Sequence, residues 1–208
     1  QVLNHQPPDS PSHDAVAAIL NAAARAAGLT HKLLLFSGNQ VLKRRPVNFR
    51  DVLRSVETAT ASALPSNIEL RVTSPLILPS IKGDPALLRQ LLTCLITNAC
   101  EAMPAGGQLV LTAEAADLDE AALRPWAHRT PGRYLRVRVL DTGRSIRALD
   151  LPFVFDPFYT TKDVGQGAGF GLALAYGIVK LHRGWITIES TMGTGTQVMI
   201  CFPVTDQD

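Results

Sequence analysis

The sequence predicts an α+β fold: a two-layer α/β sandwich with a mixed sheet and helices on one face, preceded by one long helix. Three observations carry that expectation. Alanine and leucine recur at helical spacing up to a basic, proline-punctuated stretch, and beyond it helical and alternating patterns take turns. The last two alternating runs, Trp185 to Ser190 and Gln197 to Phe202, are joined by the short segment TMGTGT and read as a hairpin, so the sheet is not purely parallel. Ahead of them, glycines at alternating positions (Gly165, Gly167, Gly169 and Gly171) run straight into the apolar helical pattern LALAYGIVKLH.

Taken in order, the first dozen residues, QVLNHQPPDSPS, are polar and proline-rich and read as a loop or a loose end. From His13 to about Gln40 the apolar spacing predicts one long amphipathic helix behind a Ser10 or Ser12 cap, with Pro11 suited to a helix start. The link VLKRRPVNF places a boundary near Arg45 to Val47, dividing the chain into a helical region with its linker over 1–46 and a second unit over 47–208. Phe49 to Leu64 suits a helix, Ile68 to Val72 alternates as a strand, and Asp84-Pro85 caps a helix running to about Met103. Gln108 to Ala113 and Tyr134 to Leu140 read as strands with a charged, helix-prone insertion between them.

Composition excludes several classes. With 46% hydrophobic residues, 208 residues can bury a real core. Lys and Arg number 20 against 18 Asp and Glu, no block of like charge stands out, and aromatics are 6%, so no nucleic-acid partner is expected. Cys94, Cys100 and Cys201 are odd in number and form no CxxC pair, which indicates neither a disulfide framework nor a zinc site and fits a reducing compartment. No apolar run reaches the ~18 residues a membrane span requires, and no signal peptide is visible, so no membrane contact by this segment is expected. The start at Gln1 rather than Met reads as a fragment or a processed product.

Three places carry chemistry. A glycine-rich loop opening a helix is suited to phosphate, because glycine lets backbone N–H groups approach oxygen closely and the helix start offers unpaired amides and a positive dipole end. On the helix that begins at Asp84, Asn98 is a neutral amide among apolar and small residues. It reads either as a buried polar group satisfied by backbone or as a side-chain oxygen that orients a hydrated Mg²⁺ carried by a nucleotide. Glu101, three residues on, reads as an aid to that metal shell or as a solvated carboxylate. In LDTGRSI, at the end of the strand YLRVRVL, Asp141 with Gly143 reads as plain turn chemistry or as a buried carboxylate that accepts from the exocyclic amine of adenine. Gly143 would let the base lie close to backbone.

Asn98 in LITNACEAMP, Asp141 with Gly143, FDPFYTTK and GQGAGFGLALAYGIVKLHRGWITIESTMGTGTQVMICFP together resemble the asparagine box, first glycine box, phenylalanine box and second glycine box of bacterial sensor histidine kinases. The likeness covers roughly Val47 to Val204. It implies the Bergerat-type, left-handed βαβ nucleotide fold shared with DNA gyrase, a heat-shock chaperone ATPase and mismatch-repair ATPases. It further implies ATP with Mg²⁺ between the Asn98 helix and a mobile lid spanning roughly Arg144 to Ala168. Asn98 would hold the Mg²⁺ and Asp141 the adenine amine, with Thr196 supporting adenine recognition from the neighbouring strand. Gly165, Gly167, Gly169, Gly171 and Leu172 would supply the phosphate loop and lid hinge, with Thr161 and Lys162 near the phosphates. Phe155 and Phe158 would pack the lid, or simply the core. Lys162 reads equally as a solvated lid charge.

The preceding helix, with LTHKLLLFSGNQ, is similar to the end of the second dimerisation helix of that family. This implies a homodimer through the N-terminal helix, a response-regulator receiver domain as partner, and a place in the cytoplasmic part of a sensor. The γ-phosphate would pass to a histidine outside this segment and then to a response-regulator aspartate. The sequence departs from the family in three respects. His13-Asp14 has the dipeptide of a phosphoacceptor, yet the stretch from His13 to LTHKLLLFS is too short for a helix, a turn and a returning helix, which places His13 in the first turn of helix two. Cys94, one turn before Asn98, stands where these kinases carry a second asparagine and the hydrolysing relatives a glutamate base. Ser145 stands where the first glycine box continues with glycine, and its β-carbon would narrow the pocket or stiffen the lid. These departures favour the alternative reading, a degenerate scaffold or nucleotide-sensing dimerisation module. A serine-type protein kinase of the same superfamily fits the long preceding helix less well.

Overall fold

The computed structural model describes residues 15–20, 22–23, 30, 42–61, 63–126, 129–162 and 169–205. Of the helix expected from His13 to Gln40, residues 15–20, 22–23 and 30 are helical; the remainder of that expectation, His13 included, lies outside the described residues.

From Arg45 onward the elements are β1 (Arg45–Asn48), α1 (Phe49–Ala61), β2 (Ile68–Thr73), β3 (Ser80–Gly83), α2 (Pro85–Ala102), β4 (Gly107–Leu118), α3 (Glu120–Leu123), β5 (Gly132–Asp141), a 3-10 turn (Leu151–Phe153), α4 (Gly171–Leu181), β6 (Trp185–Thr191) and β7 (Gly195–Pro203). Five strands pair in the order β2-β4-β5-β7-β6, and β1 pairs with β3 apart from them. β2 runs parallel to β4 and every other pairing is antiparallel, so the sheet is mixed as expected.

Alternation along the strands decides the layers. In β5 the side chains of Leu135, Val137 and Val139 point inward and are buried, while Arg136, Arg138 and Leu140 face the other way. α2 buries Leu88, Leu91, Leu92, Leu95, Ile96 and Ala99, a helical stripe at three- and four-residue spacing, against that inward face. α4 lies beside α2 and buries Leu174, Ile178 and Val179 in the same core. The outer face carries Arg136 and Arg138, each reaching Glu114, at 3.4 and 3.0 Å. Among the described residues one end of that face is covered: Trp126, Trp185 and Tyr134 pack there with Leu123 of α3, with ring centroids 5.5 Å apart for Trp126–Trp185 and 5.0 Å for Tyr134–Trp185.

Three stretches differ from the sequence expectation, the first being Ser80–Gly83, a strand where none was expected, formed by pairing with β1. The proline-punctuated link is a strand from Arg45, because Pro46 sits in a two-stranded ladder opposite Lys82, where a missing N–H costs little. The helix-prone insertion begins as strand: β4 continues to Leu118, since pairing with β5 persists as far as Leu118 opposite Gly132 and overrides the poor strand propensity of its alanines. Only Glu120–Leu123 is helical, capped by the Asp119 side chain, which accepts from the Ala122 amide at 2.8 Å.

The helix start at Asp84 is as expected, its carboxylate accepting from the Ala86 amide at 2.9 Å with Pro85 in the first turn. The Asp84 amide itself donates to Nε2 of His182 at 3.0 Å, and His182 Nδ1 lies 2.7 Å from the Ile178 carbonyl. That pairing requires the neutral tautomer with the proton on Nδ1. His182, 4% exposed, thereby joins the end of α4 to the start of α2. Burial pushes its pKa below the ordinary value, Arg44 lowers it further, and the Ile178 carbonyl and Asp84 oppose this only in part. The unfolded chain therefore takes up a proton near pH 6.5 that the native state refuses, so stability is complete above that pH and falls as pH drops below it. Chemical denaturation between pH 7.5 and 5 should show this decline in the native chain. His182→Gln should be less stable at pH 7.5 and show a flatter dependence over the same interval.

Candidate functional site

Asp141 is the last residue of β5 and shares the inward parity of Leu135, Val137 and Val139, so the strand carries its carboxylate into the core, 6% exposed. Burial raises its pKa; the Gly143 amide, which donates to Oδ1 at 2.8 Å, and the Thr196 amide pull the other way without cancelling it. Thr196 is the ladder partner of Asp141 on β7, is 7% exposed, and places its Oγ1 3.1 Å from Ser190 Oγ.

The chain leaving β5 docks on the end of α2. A Cβ on Gly143 would lie 2.7 Å from the Ala102 carbonyl oxygen, and the next amide, Arg144, donates to that same oxygen at 2.9 Å. Asn98 stands one helical turn before Ala102, half-buried, against the first residue of α4: a Cβ on Gly171 would come within 2.6 and 2.7 Å of the Asn98 amide atoms. Among the described residues no side chain caps the start of α4, whose first amides suit a ligand or solvent. The last turns of α2 thus meet the Asp141 loop at Ala102 and, one turn back at Asn98, the first residue of α4.

The chain between these two contacts is described from Arg144 to Lys162 and again from Gly169. Asp150 organises its first half, its carboxylate accepting from Arg147 at 2.6 and 3.0 Å and from the Tyr159 hydroxyl at 2.7 Å. Phe155 packs on Tyr176 of α4 with centroids 5.5 Å apart and reaches the main core. Phe158 is 63% exposed, holds a left-handed φ of 68°, donates its amide to Gly169 O at 3.1 Å, and sets its ring edge-on to Phe170 at 4.5 Å. Of the two phenylalanines, only Phe155 reaches the core. Gly169 has φ 65°, and a Cβ there would meet the Phe158 carbonyl carbon at 2.5 Å.

Lys162 forms an ion pair with Glu101, tying the segment to α2 next to Asn98. Glu101 stays exposed in this surface pair, its side chain 43% accessible. Thr161 is exposed, Leu172 is half-buried against the core, and Cys94 packs on the core one turn before Asn98. Gly165 and Gly167 lie outside the described residues. The structure therefore gathers Asn98, Asp141, Gly143, Gly171 and Thr196 around the end of α2. Sequence reasoning missed Ser190 and Asp150, whose types and spacings carry no signal of their own, and it gave His182 no role.

Residues 83–206 match the model of the family described as histidine kinase-, DNA gyrase B- and HSP90-like ATPase. The chain belongs to that family. Among curated relatives of this ATPase domain, sensor kinase CckA of Brucella abortus is 36% identical over 202 residues, covering 97% of this chain and 21% of its own length. Sporulation kinase E of Bacillus subtilis is 27% identical over 187 residues, covering 89% of this chain and 23% of its own. The chain thus spans less than a quarter of either relative. Full-length ShkA in complex with AMPPNP superposes with a TM-score of 0.73 at 22% identity, over 99% of this chain and 41% of that one. Histidine kinase ThkA in complex with response regulator protein TrrA gives 0.66 at 22% identity, over 97% and 54%. At these identities the two structures establish the ATPase-domain fold.

Gly195 opens β7 with φ 98° beside the Asp141 carbonyl, where an added Cβ would lie 1.9 Å from the oxygen. Gly195→Ala combines that clash with a left-handed backbone, and we expect it to lower unfolding free energy by at least ~2 kcal/mol, measured by denaturant titration.

Proposed function

We propose that this chain is the ATP-binding kinase core of a two-component sensor histidine kinase, which transfers the γ-phosphate of ATP to a histidine outside this segment for relay to a response-regulator aspartate. The observation that carries the reading is the buried Asp141 carboxylate whose loop docks on the end of α2 at Ala102, one turn from Asn98 and its contact with the start of α4. The relatives' names as sensor kinases support it. Residues 1–46 would be the dimerisation helix and linker and 47–208 the catalytic domain. The partners would be a second copy through that helix and a receiver domain. The enzyme would work at the cytoplasmic side; no helix among the described residues is long and apolar enough to cross a membrane.

The side chains fit the ligand. Asp141 is an acceptor with no competing cation within its hydrogen bonds, which suits the adenine amine and not the carbonyl that guanine presents at the same position. Asn98 offers one neutral oxygen to Mg²⁺, a cation that keeps few protein ligands beside phosphate oxygens. When bound, Mg²⁺ would neutralise charge building on the transferred group. Gly171 keeps space open at the Asn98 amide, and the first amides of α4 face the anion. Lys162 and Thr161 would close over the phosphates from the lid. The chain's contribution is positioning and preorganised dipoles. Cys94 supplies no carboxylate base one turn before Asn98, so water is not activated and transfer to histidine is favoured over hydrolysis.

Isothermal calorimetry should show Mg²⁺-dependent ATP binding, and its absence would sink the proposal. Asp141→Asn should weaken ATP binding by about 10- to 100-fold, the worth of a hydrogen bond to a charged group. Because burial raises the Asp141 pKa, its carboxylate gains a proton as pH falls through a range above that of an ordinary Asp. ATP affinity should therefore decline from pH 7 toward pH 4.5 in the native chain and change less in Asp141→Asn. Asn98→Ala should remove most of the Mg²⁺ dependence.

Cys94 and Ser145 favour a second reading, a nucleotide-sensing scaffold without kinase activity. Phosphohistidine formed on a protein extended upstream of Gln1 would exclude it.

A further inference from the structure

The loop leaving β5 and the hairpin joining β6 to β7 meet along a seam closed by two hydroxyls. Ser145 Oγ donates to the Thr191 carbonyl at 2.7 Å and accepts from the amides of Gly193 at 3.1 Å and Gly195 at 3.2 Å. A serine hydroxyl has one proton and two lone pairs, so every bond it can make is made within this seam. Ser190 answers from the hairpin. It accepts from the Ile146 amide at 2.9 Å and donates to the Gly195 carbonyl at 2.7 Å. Its single proton being used there, the 3.1 Å contact with Thr196 Oγ1 takes its proton from Thr196. The Thr196 hydroxyl then offers only lone pairs to anything beyond it. Asp141, its ladder partner, likewise offers a carboxylate.

We infer that Ser145 is a specificity-determining positioning residue: with the Asp141–Thr196 register set by the β5–β7 ladder, it clamps onto the hairpin the loop whose Gly143 amide orients the Asp141 carboxylate, so that Asp141 and Thr196 keep a fixed orientation as two acceptors for a purine bearing its amine at C6. This rests on the nucleotide-binding reading above and extends it to a residue where that family carries glycine. Glycine at this position would take the hydroxyl partner from the Gly193 and Gly195 amides, while the Thr191 carbonyl keeps the bonds donated by Thr194, and would loosen the loop that orients the Asp141 carboxylate against the hairpin. The carboxylate would then turn relative to the Thr196 hydroxyl, and rejection of a guanine base, which presents a carbonyl oxygen at C6, would weaken. The hydroxyl thus spends its bonds on discrimination among bases and makes none to ligand. A role confined to stability would move the melting temperature and weaken all nucleotides alike.

The test measures ATP and GTP dissociation constants by calorimetry with Mg²⁺ for the native chain, Ser145→Ala and Ser145→Thr, alongside nucleotide-free amide exchange at Gly193 and Gly195 by NMR. In Ser145→Ala the ratio of GTP to ATP dissociation constants should fall about tenfold, the scale of one or two net hydrogen bonds, and exchange at both amides should quicken. Ser145→Thr keeps the hydroxyl and should hold the ratio within about threefold of the native value, unlike the alanine variant. An unchanged ratio in Ser145→Ala, in a native chain that binds ATP, overturns the inference and leaves the proposed function standing. A native chain that binds neither nucleotide overturns both.

Discussion

Most of the molecule hangs on the register of β5 between β4 and β7. Side chains on a strand alternate with period two, so a slip of one residue would turn Leu135, Val137 and Val139 out of the core together. Because Asp141 shares their parity, the same hydrophobic pattern that holds the sheet in place also forces a carboxylate inward. The cost of burying it is offset by amides from Gly143 and Thr196, both supplied by chain that leaves or meets β5 at that point. A core-forming pattern and a polar site are thus products of one register.

Everything else at the site is placed relative to that residue by the two long helices. α2 and α4 pack side by side on the inward face, and their relation is set twice: by apolar packing along their length, and by His182, which joins the end of one to the start of the other. At the opposite ends of these helices, Asn98 meets Gly171 so closely that no side chain larger than hydrogen fits without displacing the amide. The loop from β5 closes the arrangement by donating to the Ala102 carbonyl. Three chain segments far apart in sequence converge on the last turns of α2.

The lid segment and the hairpin seam are held differently, by polar contacts. Asp150 gathers Arg147 and Tyr159, Lys162 pairs with Glu101, and two serines stitch the loop to the hairpin. Such contacts are individually modest in net stability, but they are directional, and direction is what a site built from hydrogen-bond acceptors requires. Phe155 is the hydrophobic exception, anchoring the segment to α4, whereas Phe158 stays largely outside the core.

Period and punctuation made much of this legible beforehand. The helix at Asp84-Pro85, the strand ending in Asp141 and the terminal hairpin follow from spacing and caps, and the order of Asn98, Asp141, the phenylalanines and the glycines marks a nucleotide-binding family. Three strand stretches were not legible, Ser80–Gly83 among them, which becomes a strand only by pairing with β1. Pro46 and the alanines after Ala113 disfavour strand locally, and pairing with distant partners overrode that preference. Nor could the roles of Ser145, Ser190, His182 and Glu101 be read, because a serine, a histidine or a glutamate has no identity as clamp, link or ion-pair partner until its neighbours arrive. Propensity and periodicity are written in adjacent residues, so the chain's own pattern was enough to set the elements, their faces and the candidate ligand. The hydrogen-bond partners across the seam, and the side on which each acceptor points, came into being only on folding, since they join residues as much as 50 positions apart.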